Sequence, residues 1–535
     1  MDFTNIDFEK HRDLACLIIQ EASKRNLKDR HEFEKFRNRI VKEEKGVIFH
    51  NLYLIKAYYE LVDKGVIKLK PDLLNLIRKR SVRTLSGVAP VTVLTKPYPC
   101  PGRCVYCPTD VMMPKSYLRS QPAAQRALRQ KFDPYDQVVV RLRALVTTGH
   151  EISKVELRIV GGTWSSYPKP YQKSFIKRCI MACNEFYGEK SKKNSFDDVV
   201  RTNETAKIRI IGINIETRPD YINESEVKRL RDLGVTKVEM GVQTTSEAVQ
   251  KLTGRGHTLK EVTAATKLLK DAGFKIGYHM MPNLPGSTPK MDIKMIEDLF
   301  KDDKFQPDYL KIYPCVVVPK TILSFWFKQG KYNSYSDKIL EDVIYEELKR
   351  IPYWCRVDRV ARDIPSTEVE SGFKSSNVRQ IIENRLIKEG VKLKEIRGRE
   401  VGNDKIDPEN IELVMRKYKA SGGEEIFLSY EDKKKNKLIA LLRLRLPKGG
   451  FLPVLKNAAI IREIHVYGQQ VAVGSAEVKG QKQHTGLGTK LIIEAEKLAR
   501  VNKYKKIAVI SGIGTREYYK KFGYKLLDTY MVKSF

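Results

Sequence analysis

Apolar residues recur at intervals of three and four along the first 75 residues. The segments HRDLACLIIQEASKR and FHNLYLIKAYYELVDKG both show this spacing, and Gly65 stands where a glycine commonly ends a helix. We therefore predict a helical region over residues 1–75. A basic connector, IRKRSVRTLSG, follows it and carries Arg78, Lys79, Arg80 and Arg83.

From about residue 88, short segments rich in β-branched residues alternate with helical segments. The six strand-like segments are VAPVTVLTKPYPC, VELRIVGGTW, IRIIGINIETRPD, KVEMGVQT, FKIGYHMMP and YLKIYPCVV. Helical segments such as TLKEVTAATKLLKDAG lie between several of them. Six strands alternating with helices predict a parallel sheet curled into a full or partial barrel, in which the loops after the strands carry the chemistry.

A third pattern begins near residue 396. The segment EEIFLSYEDKKKNKLIALLRLRLP predicts a β-hairpin with a lysine run at its tip. A strand REIHVYG, a glycine loop QHTGLG, a helix TKLIIEAEKLARVNK, a strand KIAVISG and the segment TREYYKKFGYKL follow. We thus predict a multidomain α/β protein with three parts, residues 1–75, 76–395 and 396–535.

The charge balance points to a polyanionic partner. Among 535 residues, 99 are Lys or Arg and 65 are Asp or Glu, so the net charge is +34. This excess favours RNA or DNA ahead of a membrane. No apolar stretch reaches transmembrane length, and the start MDFTNIDFEKHRD is too charged for a signal peptide. We expect a cytoplasmic protein, in which clustered cysteines bind metal or do chemistry.

Three of the eight cysteines lie within eight positions. Cys100, Cys104 and Cys107 form a C-x3-C-x2-C motif after the first predicted strand of the barrel. Such thiolates hold an iron–sulfur cluster or part of a zinc site. No second pair and no nearby histidine completes a four-ligand zinc site, whereas three cysteines leave one iron of a four-iron cluster open. We favour the cluster over a zinc knuckle or chance clustering.

This motif resembles that of the radical S-adenosylmethionine (SAM) enzymes. In that family the open iron binds SAM, and one electron from the cluster cleaves SAM to a 5′-deoxyadenosyl radical. Tyr106 matches the aromatic residue usual before the third cysteine. The resemblance implies that Gly161 and Gly162, in the turn after the second strand, hold the methionine amino group. Thr163 then replaces the family's usual acid.

Three polar residues follow the third and fourth predicted strands of the barrel. Glu216, Arg218 and Gln243 are the polar side chains best placed around a bound SAM. Each is equally compatible with an ordinary loop residue whose partners are satisfied within the protein.

A second glycine motif, Q-x-x-G-x-G, runs directly into a predicted helix near the C-terminus. Backbone amides and the helix dipole favour a diphosphate there. Together with the order of its flanking strands, it resembles the pyrophosphate loop of GCN5-related N-acetyltransferases. The resemblance implies acetyl-CoA contacts from Glu463, Ile464, His465, Val466, Gln483, Gly486, Leu487, Gly488 and Thr489.

Two tyrosines follow the next strand of this region. In the acetyltransferase fold a tyrosine lies near the thioester sulfur at this point, which implies a catalytic and acetyl-CoA-binding role for Tyr518 or Tyr519. The alternative is that the tyrosines only pack the end of the domain.

The pairing of both domains, with the motifs VRTLSG, ETRPD, HMMPNLPG and REIHVYG, resembles the Elongator protein 3 family in an archaeal-type form over residues 76–535. The resemblance implies formation of 5-carboxymethyluridine at the tRNA wobble position, from acetyl-CoA. It also implies that Lys154 contacts acetyl-CoA, that Arg78, Lys79, Arg80 and Arg83 grip tRNA phosphates, and that an electron-donor protein, Elongator-type subunits or self-association take part.

The sequence differs from that family at one point and allows two alternative functions. Many members of that family carry cysteines before REVG that help hold a zinc, but KLKEIRGREVG has none, which argues against a structural zinc here. The alternative function is a protein lysine acetyltransferase with a structural cluster. A third is a tRNA-binding scaffold without turnover.

Overall fold

The computed structural model describes residues 8–43, 51–78, 87–188, 194–375, 377–402, 404, 406–467 and 486–535. Lys79, Arg80, Arg83 and Gln483 lie outside these ranges. No helix within the described ranges is both long and apolar enough to cross a membrane.

The N-terminal region consists of helices, as predicted. Their amphipathic faces meet in one cluster, in which Ile18, Ile19, Leu54 and Tyr58 are fully buried. The helices are α1 (Arg12–Ser23), α2 (Arg30–Glu43), α3 (Asn51–Asp63) and α4 (Pro71–Ile77).

The central region is a parallel sheet whose strands lie in the order of the sequence. Its two end strands do not pair, so the sheet forms a partial barrel with an open seam. The strands are β1 (Ala89–Leu94), β2 (Lys154–Val160), β3 (Arg209–Thr217), β4 (Lys237–Gln243), β5 (Lys275–Met280), β6 (Tyr309–Ile312) and β7 (Arg356–Val360).

Helices cover the outside of this barrel and bury its apolar outer face. They are α5 (Pro122–Arg129), α6 (Pro134–Thr147), α7 (Lys169–Asn184), α8 (Phe196–Asn203), α9 (Glu224–Asp232), α10 (Glu247–Leu252), α11 (Leu259–Asp271), α12 (Pro289–Lys301), α13 (Ile322–Lys328), α14 (Asp337–Arg350), α15 (Val378–Lys388) and α16 (Ile396–Arg399).

The prediction of a partial barrel is confirmed, with seven strands in place of the predicted six. The additional strand, β7, reads RVDRV and pairs with β6. Its alternate residues Arg356 and Asp358 face cavities inside the barrel. A strand with charges on its inner face shows no run of β-branched residues, so the hydrophobic pattern concealed it.

The C-terminal region is a second sheet of seven strands. The predicted hairpin is β9 paired with β10, and β8 at the edge was not predicted. The elements are β8 (Ile411–Ala420), β9 (Gly423–Asp432), β10 (Lys437–Leu446), β11 (Ala458–Val466), α17 (Leu487–Val501), β12 (Lys506–Val509), α18 (Arg516–Lys520), β13 (Lys525–Leu527) and β14 (Tyr530–Ser534).

Buried ion pairs join the two sheets. Asp308, just before β6, accepts a hydrogen bond from Arg462 of β11 at 3.0 Å, and the same guanidinium donates to Glu425 at 3.0 Å. Arg445 donates to Asp271 at the end of α11 at 2.9 Å. These groups are almost completely buried. Because a buried charge is costly without its partner, the pairs hold the C-terminal sheet against the amino ends of the barrel strands.

Replacing Asp308 tests whether these ion pairs hold the two sheets together. We expect Asp308→Ala to lower the free energy of unfolding by about 3–5 kcal/mol, because it leaves Arg462 buried without its carboxylate. Urea denaturation followed by circular dichroism measures the change. Asp342→Ala, which removes a half-exposed partner of Arg385, is the matched control and should cost much less. Equal losses of unfolding free energy for the two variants would contradict this role of the ion pairs.

Candidate active site

The cysteine loop lies across the carboxyl ends of the barrel strands. Although it is irregular, its backbone is held by neighbouring loops: Val105 N–H donates to the carbonyl of Thr253 at 3.0 Å, and Leu323 N–H donates to that of Val105 at 2.9 Å. The cysteine positions are therefore fixed by the loops that follow β4 and β6.

Two thiols of this loop, those of Cys104 and Cys107, influence each other's ionisation. A hydrogen bond between Cys104 and Cys107 lowers the pKa of Cys104 and raises the pKa of Cys107. The guanidinium of Arg255, 3.6 Å from the Cys104 sulfur, further favours a thiolate there. Thiolates are the form that binds iron and zinc.

The spacing of the sulfurs argues against a single zinc ion. Within the described ranges, the one group of three potential ligand atoms lying within 4.8 Å of one another is Glu216, Glu239 and His279, so at least one pair of the cysteine sulfurs is further apart. Because Cys104 and Cys107 are hydrogen-bonded to each other, the separated sulfur is that of Cys100. Four ligands around one zinc at about 2.3 Å place sulfurs about 3.8 Å apart. A cluster, which takes each thiolate on a different iron, fits the separated Cys100 better.

The glycine turn after β2 packs directly against this loop. Gly161 has φ +122°, and a Cβ atom there would lie 2.3 Å from the Thr95 hydroxyl, so only glycine fits. The Thr163 hydroxyl lies 3.6 Å from the Cys100 sulfur. The turn, including Gly162, thus forms a wall next to the cysteines.

An upper cavity of about 270 Å³ lies between the cysteine loop and the barrel. It brings together most of the residues predicted for the cluster and SAM. Its lining includes Cys100, Cys104, Cys107, Gly162, Glu216, Arg218 and Gln243.

Four buried polar atoms at this cavity have no hydrogen-bond partner in the described part of the chain, and two of them belong to residues predicted to contact SAM. These two are Nη1 of Arg218 and Oε1 of Gln243. The other nitrogens of Arg218 bind Asp220 and the carbonyl of Gly256, each at 2.9 Å, which leaves Nη1 beside the cysteine loop. Buried polar groups are nearly always satisfied, so these two atoms indicate a ligand with a carboxylate and a donor. The amino-acid end of SAM has both.

Glu216 differs from these two residues because it already has partners. One carboxylate oxygen lies 3.0 Å from Lys311 Nζ, and the other accepts a hydrogen bond from Tyr117 at 3.3 Å. Its predicted contact with SAM stays a prediction.

The interior of the barrel is charged, which the sequence reasoning missed. Glu239 accepts hydrogen bonds from His279 (2.9 Å) and Asn214 (2.7 Å), and Lys237 joins it to Asp358 at 2.6 Å. These residues occupy alternate positions in apolar strands, as in KVEMGVQ and RVDRV. Charges at every second position of an otherwise buried strand are the signal that identifies them.

A lower cavity of about 340 Å³ lies at the opposite end of the barrel, where the C-terminal sheet meets it. It is lined by the amino ends of the barrel strands and by Glu463, Ile464, His465, Tyr518 and Tyr519. Strand β11 pairs with β12 only from Ala458 to Ile461. Beyond that point the described residues of β11 have no pairing with β12, and residues 463–465 line the cavity. The contact of their backbone with pantetheine stays a prediction.

The two tyrosines of α18 differ in environment. Tyr519 is 5% exposed and packs in the core of the sheet, whereas Tyr518 is 39% exposed. The Tyr518 hydroxyl bonds to Thr489 and lies 3.0 Å from where a Cβ on Gly488 would be. Burial raises the pKa of both phenols, so both remain protonated at neutral pH.

The described end of the glycine motif, residues 486–488, lies at the start of α17. Gly486 has φ +96°, a left-handed conformation that suits glycine, and Leu487 begins the helix. The start of the helix lies beside Tyr518. Val466 ends β11 beside this helix.

Two further residues with predicted contacts to acetyl-CoA are His465 and Lys154. The buried His465 Nε2 has no partner among the described residues, and burial lowers the His465 pKa to about 4. Lys154 is the first residue of β2 and shares a strand face with Glu156, which lines the lower cavity. Burial lowers the pKa of Lys154. The contacts of both with acetyl-CoA stay predictions.

Comparisons with known proteins agree with this arrangement. Residues 98–299 match the Radical SAM superfamily and residues 307–388 match the Radical_SAM C-terminal domain. The chain is 39% identical to the tRNA uridine(34) acetyltransferase of Methanocaldococcus jannaschii over 98% of both chains. It is 40% identical to Elongator complex protein 3 of Schizosaccharomyces pombe over 87% of this chain and 88% of that protein.

The chain belongs to the Elongator complex protein 3 family. The solved structure of the archaeal Methanocaldococcus infernus Elp3, with its N-terminus (1–46) deleted, superposes with a TM-score of 0.74 at 40% identity and covers 84% of this chain and 100% of that chain. The protein is therefore an enzyme of radical SAM type with a multidomain α/β fold.

This member of the Elongator complex protein 3 family holds the segment before REVG with a carboxylate. The completely buried Glu395 accepts hydrogen bonds from the amides of Val357 (3.0 Å), Arg397 (2.9 Å) and Gly398 (2.7 Å), and pairs with Arg379 at 2.7 Å. Within the described ranges, no set of three close metal ligands includes Cys315. Glu395 thus fixes the segment through hydrogen bonds to its backbone.

Cluster loading tests the role of the cysteine loop. Anaerobic reconstitution with iron and sulfide should give close to four irons per chain and a visible absorption band. Cys104→Ala should lose most of both, because one thiolate ligand is gone. Cys16→Ala, which changes a cysteine of α1, is the control and should load normally. Full loading of Cys104→Ala would contradict this assignment.

Proposed function

We propose that this chain builds 5-carboxymethyluridine at the wobble position of tRNA, using acetyl-CoA as the carbon source. The observation that carries the proposal is the placement of two cavities at opposite ends of one barrel. The cysteine loop lines one cavity and the splayed acetyltransferase strand lines the other, and Arg158 and Asp358 line both. The printed name of the relatives, tRNA uridine(34) acetyltransferase, supports the choice of substrate.

In the upper cavity, Cys100, Cys104 and Cys107 would hold a [4Fe–4S] cluster, and Arg218 would bind the SAM carboxylate. When bound, these groups supply a 5′-deoxyadenosyl radical that takes a hydrogen atom from the acetyl methyl group. The chain's own residues hold the reactants in place and exclude water.

In the lower cavity, the amides at the start of α17 would bind the diphosphate of acetyl-CoA, and the separated backbone of β11 would bind its pantetheine arm. Tyr518 and Tyr519 then lie near the thioester, and Lys154 lies at the rim. The acetyl group points into the barrel. Overall, a bond would form between the acetyl methyl carbon and uracil C5, the C5 hydrogen would leave as a proton, and one electron would return to the oxidised cluster. Water would then hydrolyse the thioester and release CoA.

The tRNA would approach along the open seam. The basic connector leads into β1, which forms one edge of that seam. Arg78 ends α4 and lies against the barrel at Gly149. Contacts of this connector with phosphates would position the tRNA without reading its sequence.

A protein lysine acetyltransferase with a structural cluster is the alternative. Direct acetyl transfer to an amine needs a general base facing an open substrate groove. Here the cavity below the splayed strand opens toward the ion-paired interior of the barrel, which favours chemistry inside the barrel over transfer to a protein lysine.

The direct test is incubation of the reconstituted protein with acetyl-CoA, SAM, dithionite and tRNA, followed by digestion to nucleosides and mass spectrometry. Carboxymethyluridine should appear only with SAM, and Cys104→Ala should abolish it because the radical is no longer generated. Asp342→Ala should retain it. Product formed without SAM, or by Cys104→Ala, would refute the radical mechanism, and acetyl-lysine on added protein in its place would support the alternative.

A further inference from the structure

The two cavities meet at one layer of the barrel interior. Of all their lining residues, only Arg158 on β2 and Asp358 on β7 line both cavities. The proposed function, on which this inference rests, requires the acetyl methyl, the SAM-derived radical and uracil C5 to come together. Since each of the two small molecules has its own cavity, the uracil base must reach this shared layer.

The layer is accessible from the seam between β1 and β7. Asp358 lies on β7, a seam strand, and the lower cavity is bounded by Val88 and Pro90 on one side and by Arg356 and Glu400 on the other. A base in a single-stranded anticodon loop swings out of its stack at low cost. An unstacked base entering through the seam meets Asp358 first among the groups of the shared layer.

The shared layer offers a hydrogen-bond donor on Arg158 and an acceptor on Asp358. Arg158 uses Nε and Nη2 on Glu156, at 2.7 and 2.6 Å, and has no partner for Nη1 among the described residues. Asp358 accepts from Lys237 at 2.6 Å on one oxygen and from Arg356 at 3.0 Å on the other. Each carboxylate oxygen retains a second lone pair. Arg158 and Asp358 do not pair directly, so a space separates them.

Charges around Asp358 keep it an acceptor. Burial opposes its ionisation, but Lys237, Arg158 and Arg356 outweigh burial and lower its pKa. At neutral pH, Asp358 therefore accepts a hydrogen bond from a nitrogen that carries a proton, and it repels a nitrogen that presents a lone pair.

We infer that Arg158 and Asp358 read the Watson–Crick edge of uracil and restrict the enzyme to uridine. The uracil edge presents the donor N3–H beside a carbonyl acceptor, which complements a carboxylate beside a guanidinium. Cytosine presents an amino donor and an unprotonated N3, so its N3 lone pair would face the carboxylate. N3-methyluridine would place a methyl group there. The phosphate contacts of the anticodon loop are the same for all three bases.

Binding of anticodon stem–loop RNAs tests this inference without SAM or electrons. The probes carry uridine, cytidine or N3-methyluridine at position 34, and fluorescence anisotropy gives the dissociation constants for the full chain. We expect uridine to bind at least about fivefold more tightly than the other two, the lower end of what one well-matched base contact contributes. Equal affinities for the three RNAs would overturn the inference.

The variant Asp358→Asn provides a second test of this inference. The amide offers a donor as well as an acceptor, so the preference for uridine over cytidine should fall to about one, while Asp342→Asn keeps the wild-type preference. An unchanged preference in Asp358→Asn would overturn the inference. If Asp358→Asn fails to fold, the three RNAs on the unmodified chain still decide.

The experiments distinguish a failure of the proposed function from a failure of the proposed base recognition. If the unmodified chain prefers uridine RNA but makes no carboxymethyluridine, the proposed function is wrong and the base recognition stands. If it makes the product but binds the three RNAs equally, only the base recognition is wrong.

Discussion

The buried contact between Asp308 and Arg462 fixes the geometry on which both cavities depend. It joins the amino end of β6 to the middle of β11, just before β11 separates from β12. Arg443 and Arg445 of β10 bind carboxylates next to it. Because none of these charges is tolerated alone in the interior, the acetyltransferase-type sheet is held with its splayed strand over the mouth of the barrel.

The second constraint is the charged interior of the barrel. Parallel strands buried on both faces are normally apolar. Here alternate inward positions carry Glu239, Lys237, Lys311 and Asp358, each paired with a neighbour. Such a layer is stable only when each charge is matched. It also offers hydrogen-bonding groups to a planar base. One set of ion pairs therefore meets structural and chemical needs together.

The sequence patterns predicted those features of the fold and the site that a few adjacent residues determine. The cysteine spacing, the Gly161–Gly162 turn and the Gly486–Gly488 helix start are each specified by a few adjacent residues, and the family comparison confirms the fold that they indicate. The patterns missed β7, since Arg356 and Asp358 interrupt its apolar run. They also missed the buried ion pair of Asp308 with Arg462, since the two residues lie 154 positions apart along the chain. Long-range pairs of charges leave no periodic signature.

The central claim is that the acetyl methyl group inside the barrel is the site of hydrogen abstraction. It is tested most directly with acetyl-CoA whose methyl group is fully deuterated, in the presence of tRNA, SAM and reductant. Mass spectrometry of the 5′-deoxyadenosine should then show one deuterium gained, and the carboxymethyl group of the product should retain two. Unlabelled 5′-deoxyadenosine formed alongside a carboxymethyl product that carries two deuterium atoms would contradict the account.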